Sequence, residues 1–311
     1  MYDYTMANKI IKFCETLKIP EGDKVGEPIV LIEWQKDFIR EVFKEKNGKR
    51  VVKTGICSIG RKNSKSSTIA MILLSLMCIK GLAKPNAQLA SGAKTRQQSA
   101  LLFNLMSKFI QFSPTLQKRL KVTDSKKLIT NMRNGCTYQS LAADAGSVLG
   151  LSLYVYVHDE GANLENNYSF PEACKSSQGS YDDALVLEIS TIGSSDTYEF
   201  NKLVEQYKDN KDPSVYCIYY TVPENTPNMM TDPEVWKLAN PSLGHFLSVD
   251  TMKSYADQAI KIPSKMSYFK NYLLNMKISS EQSFIQSEDW TAIAEEWGNT
   301  QIFTDYQQFA A

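Results

Sequence analysis

Short apolar runs that alternate with helical patterns constrain this chain most strongly. The predicted strands are residues 50–57, 87–91, 153–157, 184–190 and 215–222. The helical patterns between them are residues 65–80, 95–112 and 198–208. The run 153–157 is continuously apolar, which is typical of a strand buried on both faces. Strands that alternate with helices favour an α/β fold with a mainly parallel sheet flanked by helices.

The strand pattern ends near residue 245. Residues 126–141 suggest a hairpin with its turn at 131–135, and residues 249–277 look helical with an interruption at Pro263. A chain of 311 residues is long enough for one large domain and a smaller appendage. The predicted organisation is an α/β domain at 1–245, a helical subdomain at 246–295 and a polar tail at 296–311.

The overall charge does not indicate a nucleic-acid binder. The chain has 35 basic and 34 acidic residues, a formal net charge of +1. A surface that contacts DNA would therefore be a local patch. Basic residues do cluster at 118–121 and 126–127, although a solvated helix face and turn would have the same composition.

Cysteine and histidine usage excludes several classes of site. The six cysteines form no CxxC pair, and several lie in apolar runs, which predicts reduced, buried thiols. His158 and His245 are the only histidines and are far apart in the sequence. A histidine-based metal site or a Ser-His-Asp triad is therefore not expected.

No membrane association is predicted. The N-terminus lacks a basic segment followed by an apolar one, and the longest apolar stretch, residues 69–79, is too short to span a bilayer. The expected location is the cytoplasm.

The segment after the first predicted strand has the composition of a phosphate-binding loop. It reads CSIGRKNSKSS over residues 57–67 and leads into a predicted helix. The backbone N–H groups of such a loop and the positive end of the helix bind phosphate. In the pattern GxxxxGK[ST], Lys65 would contact the β- and γ-phosphates and Ser66 would bind Mg²⁺. The candidate nucleotide-binding residues in this loop are Gly60, Arg61, Lys62, Asn63, Ser64, Lys65, Ser66 and Ser67.

The match to that pattern is imperfect. Ile59 and Ser64 stand where the two glycines belong, so a basic surface loop is the alternative interpretation. A serine at position 64 would have to adopt a backbone geometry that glycine normally supplies.

Two carboxylates follow the apolar strand at 153–157. Asp159 at the carboxyl end of this strand could hold Mg²⁺, and Glu160 could polarise the attacking water. Paired acids also serve simply to end a strand. Their position after the loop in the sequence favours the catalytic interpretation, because open α/β sheets bind ligands at the carboxyl ends of strands.

Two further segments are candidates for nucleotide contact. The strand at 184–190 ends in Ser190-Thr191-Ile192-Gly193, whose hydroxyl groups could contact the γ-phosphate, although an ordinary strand-to-loop transition would look the same. Gln35, which precedes the first strand, offers a donor and an acceptor that match an adenine edge.

Together these segments resemble the large terminase subunits of tailed bacteriophages. The resemblance covers residues 28–290 and includes two further stretches, AKTRQQ at 93–98 and WKLANPSLG at 236–244. It implies an ATP-hydrolysing P-loop fold of the ASCE type with a small C-terminal helical linker subdomain. The motor would use ATP and Mg²⁺ to translocate double-stranded DNA during viral genome packaging.

The resemblance also implies roles for single residues. Asp159 would be the Walker B carboxylate that binds the metal, and Glu160 would be the catalytic glutamate. Thr191 would belong to the coupling motif, and Gln35 would contact adenine. Arg61 lies at the position of the family's loop arginine, which senses or stabilises the γ-phosphate.

The resemblance implies partners as well. Family members act as rings of identical subunits docked on a viral portal, with a small terminase subunit, in the cytoplasm of the host cell. A neighbouring subunit could supply an arginine in trans, for which Arg133 and Arg119 are the candidates.

The sequence analysis predicts that the nuclease domain of these proteins is absent here. Residues 284–290 resemble the lead-in to that domain, and the 21 residues after Trp290 are too few to hold it. The acidic residues beyond 280 lie in polar sequence with no apolar strand to fix them around two metals. We therefore expect ATP hydrolysis without DNA cleavage.

Two other functions remain open at this point. A P-loop helicase would use the same ATPase residues, although no second series of apolar strands follows residue 245. A protein that retains the fold and only assembles with partners is the other alternative, suggested by Ser64.

Overall fold

A twisted sheet dominates the computed structural model, which describes residues 1–82, 84–93, 95–141, 148, 150–159, 169–194 and 198–278. The strands, in chain order, are β1 (Glu45–Lys46), β2 (Lys49–Arg50), β3 (Thr54–Ser58), β4 (Gln88–Gly92), β5 (Leu120–Thr123), β6 (Leu128–Asn131), β7 (Thr137–Leu141), β8 (Leu153–Asp159), β9 (Leu185–Ser190) and β10 (Val215–Tyr219). Strands β1 and β2 form a small separate hairpin.

The other strands form one sheet in the order β10-β3-β9-β8-β4-β7-β6-β5. Neighbours from β10 to β7 are parallel, and β7-β6-β5 is antiparallel. This confirms the predicted α/β class with a mainly parallel sheet. Ser58 pairs with Ser190, and Asp159 pairs with Ile189. The carboxyl ends of β3, β8 and β9 therefore meet at one edge of the sheet.

Helices cover the sheet and extend the fold beyond it. They are α1 (Thr5–Cys14), α2 (Glu33–Val42), α3 (Lys65–Cys78), α4 (Arg96–Gln111), α5 (Pro114–Gln117), α6 (Ser169–Ser176), α7 (Glu199–Tyr207), α8 (Pro233–Ala239), α9 (Val249–Lys261) and α10 (Met266–Tyr268), followed by a π-helical turn (Phe269–Leu273). Every residue of α3 from Thr68 onward is buried, so this helix is held in the core rather than by one apolar face.

Two apolar cores are relevant to the site. The larger one packs α1 to α4 against the strands, with Phe38, Ile72, Phe103 and Tyr138 fully or almost fully buried. The second gathers Trp236, Met252, Phe269 and Leu273 from the C-terminal helices. The second core uses residues on both sides of 245. The domain boundary predicted near that residue therefore does not coincide with a gap between the two cores and stays a prediction.

The six cysteines are buried free thiols, as predicted. Burial raises the pKa of Cys57, at the end of β3, to about 12. The thiol is therefore protonated at neutral pH and is not a nucleophile. No helix in the described ranges is both long enough and apolar enough to cross a bilayer.

Candidate functional site

A cavity of about 520 Å³ opens at the carboxyl edge of the sheet. It is lined by Arg61, Lys62, Asn63, Ser64, Lys65, Ser66, Ser67, Gln98, Asp159, Ser190 and Thr191. The cavity thus joins the loop after β3, the end of β8 and the end of β9, three segments that are far apart in the sequence. Its volume is within the range of small-molecule sites.

The loop enters α3 through a left-handed residue. Ser64 has φ 59° and ψ 27°, and Lys62 also has a positive φ of 67°. The serine therefore takes the geometry that glycine would normally supply, as the sequence required. Its carbonyl accepts hydrogen bonds from the backbone N–H of Thr68 at 3.0 Å and from the Thr68 hydroxyl at 2.9 Å. The first turn of α3 forms although position 64 is a serine and not a glycine.

Lys65 is the first residue of α3 and curls back over the loop. Its Nζ donates to the carbonyl oxygens of Ile59 at 2.6 Å and Gly60 at 2.9 Å. Ser66 and Ser67 are half-buried and line the same cavity. A lysine, a hydroxyl group and a helix N-terminus therefore converge where phosphate would bind.

Asn63 fixes the loop from beneath. Its side chain is fully buried, and its Nδ2 donates to Gly60 O at 3.0 Å and to Asn240 Oδ1 at 2.7 Å. Its Oδ1 accepts from the backbone N–H of Ser242 at 3.1 Å. The Ser242 hydroxyl in turn accepts from the indole N–H of Trp34 at 3.1 Å. These contacts tie the loop to the segment after α8 and to the start of α2.

Arg61 and Lys62 point toward aromatic rings. The guanidinium of Arg61 stacks 3.8 Å from the centroid of Tyr272. Lys62 Nζ donates to the Tyr255 hydroxyl at 2.9 Å. Both cations line the cavity, and stacking on Tyr272 fixes the plane of the Arg61 guanidinium.

Asp159 ends β8, is 5% exposed and lines the cavity. The residue before it, His158, is fully buried, and its Nδ1 lies 2.7 Å from Glu188 Oε2 on the neighbouring β9. Lys175 of α6 lies 2.7 Å from the other carboxylate oxygen of Glu188. Glu160, the predicted catalytic residue, lies outside the described residues.

Thr191 follows β9 and lines the same cavity. It is 8% exposed. The backbone N–H and the backbone carbonyl of the next residue, Ile192, are both hydrogen-bonded to asparagine side chains. The Ile192 N–H donates to Asn275 Oδ1 at 2.7 Å, and the Ile192 carbonyl accepts from Asn271 Nδ2 at 3.0 Å.

A second cavity of about 450 Å³ adjoins the first and shares Ser64 and Ser67 with it. Gln35 lines this cavity, together with His245 and Phe246. The Gln35 Oε1 accepts from the backbone N–H of Ile32 at 3.0 Å, and its Nε2 donates to the Thr68 hydroxyl at 2.7 Å. An amide retains a second hydrogen and a second lone pair, so these contacts leave capacity for a base. No sequence signal pointed to His245 or Phe246.

Arg133 is exposed in the turn between β6 and β7 and lies away from the cavity. The neighbouring side chains of Asn131 and Asn134 donate to Met77 O, near the C-terminal end of α3. The loop lies at the other end of that 14-residue helix, about 20 Å away at the rise of an α-helix. The Arg119 guanidinium contacts Cys78 O at the same end. Neither arginine reaches the cavity of its own subunit.

Comparisons with known proteins agree with this architecture. Residues 33–208 match the family model "Terminase large subunit, ATPase domain", and residues 209–301 match "Terminase large subunit, endonuclease domain". The chain is 33% identical over 293 residues to the "Terminase, large subunit" of Enterobacteria phage HK97. That match covers 94% of this chain and 57% of the relative.

Solved structures give the same picture. The crystal structure of the HK97 bacteriophage large terminase is 31% identical with a TM-score of 0.79, over 87% of this chain and 55% of that one. The ATPase domain of the Thermus phage P74-26 large terminase is 14% identical with a TM-score of 0.53, over 78% and 92%, and shows likeness of fold alone. This chain therefore spans somewhat more than half the length of the HK97 relatives.

The prediction that nuclease-domain sequence is absent, on which the expected lack of DNA cleavage rested, is wrong. The match to the endonuclease model begins at residue 209. It includes β10, the outermost strand of the parallel part of the sheet, and α8. The sequence analysis assigned both to the motor and counted only the residues after 290. Apolar periodicity alone does not separate two domains whose elements are continuous in the chain.

Proposed function

We propose that this chain, which belongs to the family of terminase large subunits, hydrolyses ATP to translocate double-stranded DNA during viral genome packaging. The observation that supports this most directly is the cavity at the sheet edge, where Lys65, Asp159 and Thr191 come together. The match of residues 209–301 to the endonuclease model supports DNA cleavage as a second activity.

In this proposal the loop binds the phosphates. Lys65 contacts the β- and γ-phosphates in exchange for its contacts with Ile59 O and Gly60 O. Arg61 turns from its stack on Tyr272 toward the γ-phosphate. Glu160 polarises the attacking water, and Thr191 contacts the γ-phosphate or that water.

The chemistry of the lining fits Mg²⁺. A hydroxyl at Ser66 and a carboxylate at Asp159 line one cavity, and hard oxygen ligands are those that Mg²⁺ prefers. When bound, the ion would neutralise charge on the β- and γ-phosphates. Ser66 and Asp159 would hold it.

The second cavity is the proposed site for the adenine base. The remaining hydrogen and lone pair of Gln35 would pair with adenine, whose edge offers one donor and one acceptor.

We expect Gln35→Ala to lower kcat/KM for ATP more than for GTP, so that the preference for ATP falls by about 1–3 kcal/mol. The check is steady-state kinetics with both nucleotides, and an unchanged ATP/GTP ratio would exclude the contact.

The proposed partners are DNA, the portal protein and the small terminase subunit, with the chain in a ring of identical copies docked on the procapsid in the host cytoplasm. Arg133, exposed at the opposite end of α3 from the loop, would act only on the cavity of a neighbouring copy. Arg119 is half-buried and already contacts Cys78 O, so Arg133 is the better candidate.

The proposal is tested by measuring phosphate release from ATP by the purified chain, with and without linear double-stranded DNA. Activity that DNA increases and that Lys65→Ala removes is the expected result. A chain that binds neither ATP nor DNA, and releases no phosphate, would instead be a protein that only assembles with partners.

A further inference from the structure

One short segment, Phe269–Met276, contacts two parts of the cavity at the sheet edge. These parts are the loop after β3 and the segment that carries Thr191. On the loop side, the backbone N–H of Arg61 donates to Tyr272 O at 2.7 Å. Asn240, which holds Asn63, donates to Leu273 O at 2.7 Å. A Cβ added to Gly60 would lie 2.8 Å from Leu273 O and 2.7 Å from Asn240 Oδ1, so the loop approaches this segment as closely as only glycine permits.

At the segment that carries Thr191, Asn271 donates to the Ile192 carbonyl and Asn275 accepts from the Ile192 N–H. Asn275 is fully buried and also donates to the Ser58 hydroxyl at 3.0 Å and to Tyr220 O at 2.8 Å. One side chain thus joins the end of β3, the residue after β10 and the residue after Thr191. Asn275 has φ 51°, a conformation in which asparagine and glycine are favoured.

Each of these asparagines connects to the proposed nucleotide site. Asn240 donates to Trp236 O of its own helix and accepts from Asn63 Nδ2 of the loop. Asn271 likewise donates to a carbonyl of its own segment and to Ile192 O, and Asn275 accepts from the Ile192 N–H. Buried amides with several hydrogen bonds fix a single arrangement, because any displacement leaves a polar group unpaired. Apolar contacts are not directional, so on their own they would fix the position of the loop relative to the Thr191 segment less strictly.

We propose that Asn240, Asn271 and Asn275 are positioning residues for ATP hydrolysis. Asn240 sets the phosphate-binding loop, while Asn271 and Asn275 set the wall that carries Thr191, with Phe269–Met276 as their common support. This inference rests on the proposed ATPase function. The two sides carry different parts of the reaction, so their substitution has different kinetic signatures.

The test compares Asn275→Gly with Asn210→Gly in the full chain. Both asparagines have a positive φ, and both bond to the N–H and carbonyl of peptide groups. The partner of Asn210 is Cys217 on the edge strand β10, which does not line the cavity. Glycine keeps the backbone conformation at both sites. Asn210 is exposed whereas Asn275 is buried, so Asn210→Gly is a control for added backbone freedom and for loss of an asparagine side chain away from the cavity.

We expect Asn275→Gly to lower kcat for ATP by roughly 10- to 100-fold, because a displacement near 1 Å in a catalytic group has effects of that size. Its KM should stay close to that of the unmodified chain, since among the described residues the hydrogen bonds of the Asn275 side chain go to Ile192, Ser58 and Tyr220 and not to the phosphate-binding loop. Asn240→Ala should instead raise KM for ATP. Asn210→Gly should leave both constants unchanged.

Several outcomes decide the matter. A loss of kcat in Asn275→Gly no larger than in Asn210→Gly would overturn the proposal, as would equal changes of KM in Asn240→Ala and Asn275→Gly. If Asn275→Gly does not fold by circular dichroism, Asn271→Ala must show the same selective loss of kcat. An unmodified chain that binds and hydrolyses no ATP contradicts the proposed function itself, which the same assay detects first.

Discussion

Glu160→Gln is expected to lower kcat for ATP hydrolysis by roughly 10²- to 10⁴-fold, the contribution of a positioned general base. Glutamine keeps the size of the side chain but does not accept the proton of the attacking water. Asp159, the proposed Mg²⁺ ligand, is unchanged in this variant, so the affinity for ATP should be retained. The measurements are phosphate release and equilibrium binding of a fluorescent ATP analogue.

Lys65→Ala serves as the contrasting variant. Lys65 is the first residue of α3, and its ammonium contacts two carbonyl oxygens of the loop. Its loss should weaken nucleotide binding as well as turnover, because the charge proposed to contact the phosphates is then missing in the ground state as well as in the transition state. Near-normal turnover in Glu160→Gln would show that another group activates the water. Equal loss of ATP affinity in both variants would place Glu160 in binding instead.

The sequence predicted the central part of the sheet well, for physical reasons. Strands β8 and β9 are buried along their whole length, so they appear in the sequence as largely apolar runs, which Glu188 interrupts in β9. Helix α3 begins at Lys65 and ends at Cys78, within two residues of the prediction. Strand β5 was missed, because its four residues are mostly exposed at the sheet edge and carry no period.

The buried asparagines that support the candidate site could not be predicted from the periodicity of the sequence. Asn240 was noted only as part of a family-like string, and nothing local indicated its contact with Asn63, 177 positions away. The contact of Asn275 with Ser58 spans 217 positions. Periodicity reports which face of an element is buried, but it does not report which distant polar groups that face meets. Asparagines in otherwise apolar helical sequence were the one available signal.

The second large effect is expected at the buried charged cluster beside Asp159, and it concerns stability. Glu188 is fully buried between His158 and Lys175, with both carboxylate oxygens 2.7 Å from a nitrogen. Burial acts to raise the pKa of Glu188, but His158 and Lys175 outweigh it and lower the pKa from 4.5 to about 2. The carboxylate is therefore charged at neutral pH. Removing the carboxylate takes a charged hydrogen-bond acceptor from His158, which is buried, and from Lys175, which is 32% exposed.

We expect Glu188→Gln to lower the free energy of unfolding by about 3–5 kcal/mol at pH 7, as for other broken buried ion pairs. Glu199→Gln is the matched control, since Glu199 forms an exposed pair with Lys202 at 2.6 Å. That pair should contribute no more than about 1 kcal/mol. Urea unfolding followed by circular dichroism measures both.

The pH dependence of this difference tests its electrostatic origin. Because the pKa of Glu188 is depressed in the folded protein, the stability that its charge contributes is fully present above pH 4.5. It is lost as the pH falls from there toward 2, where the folded carboxyl group takes up a proton. The gap in unfolding free energy between the unmodified chain and Glu188→Gln should therefore be widest above pH 4.5 and narrow below it. A gap that stays constant from neutral pH down to pH 3 would mean that packing, rather than the charge held by His158 and Lys175, accounts for the loss.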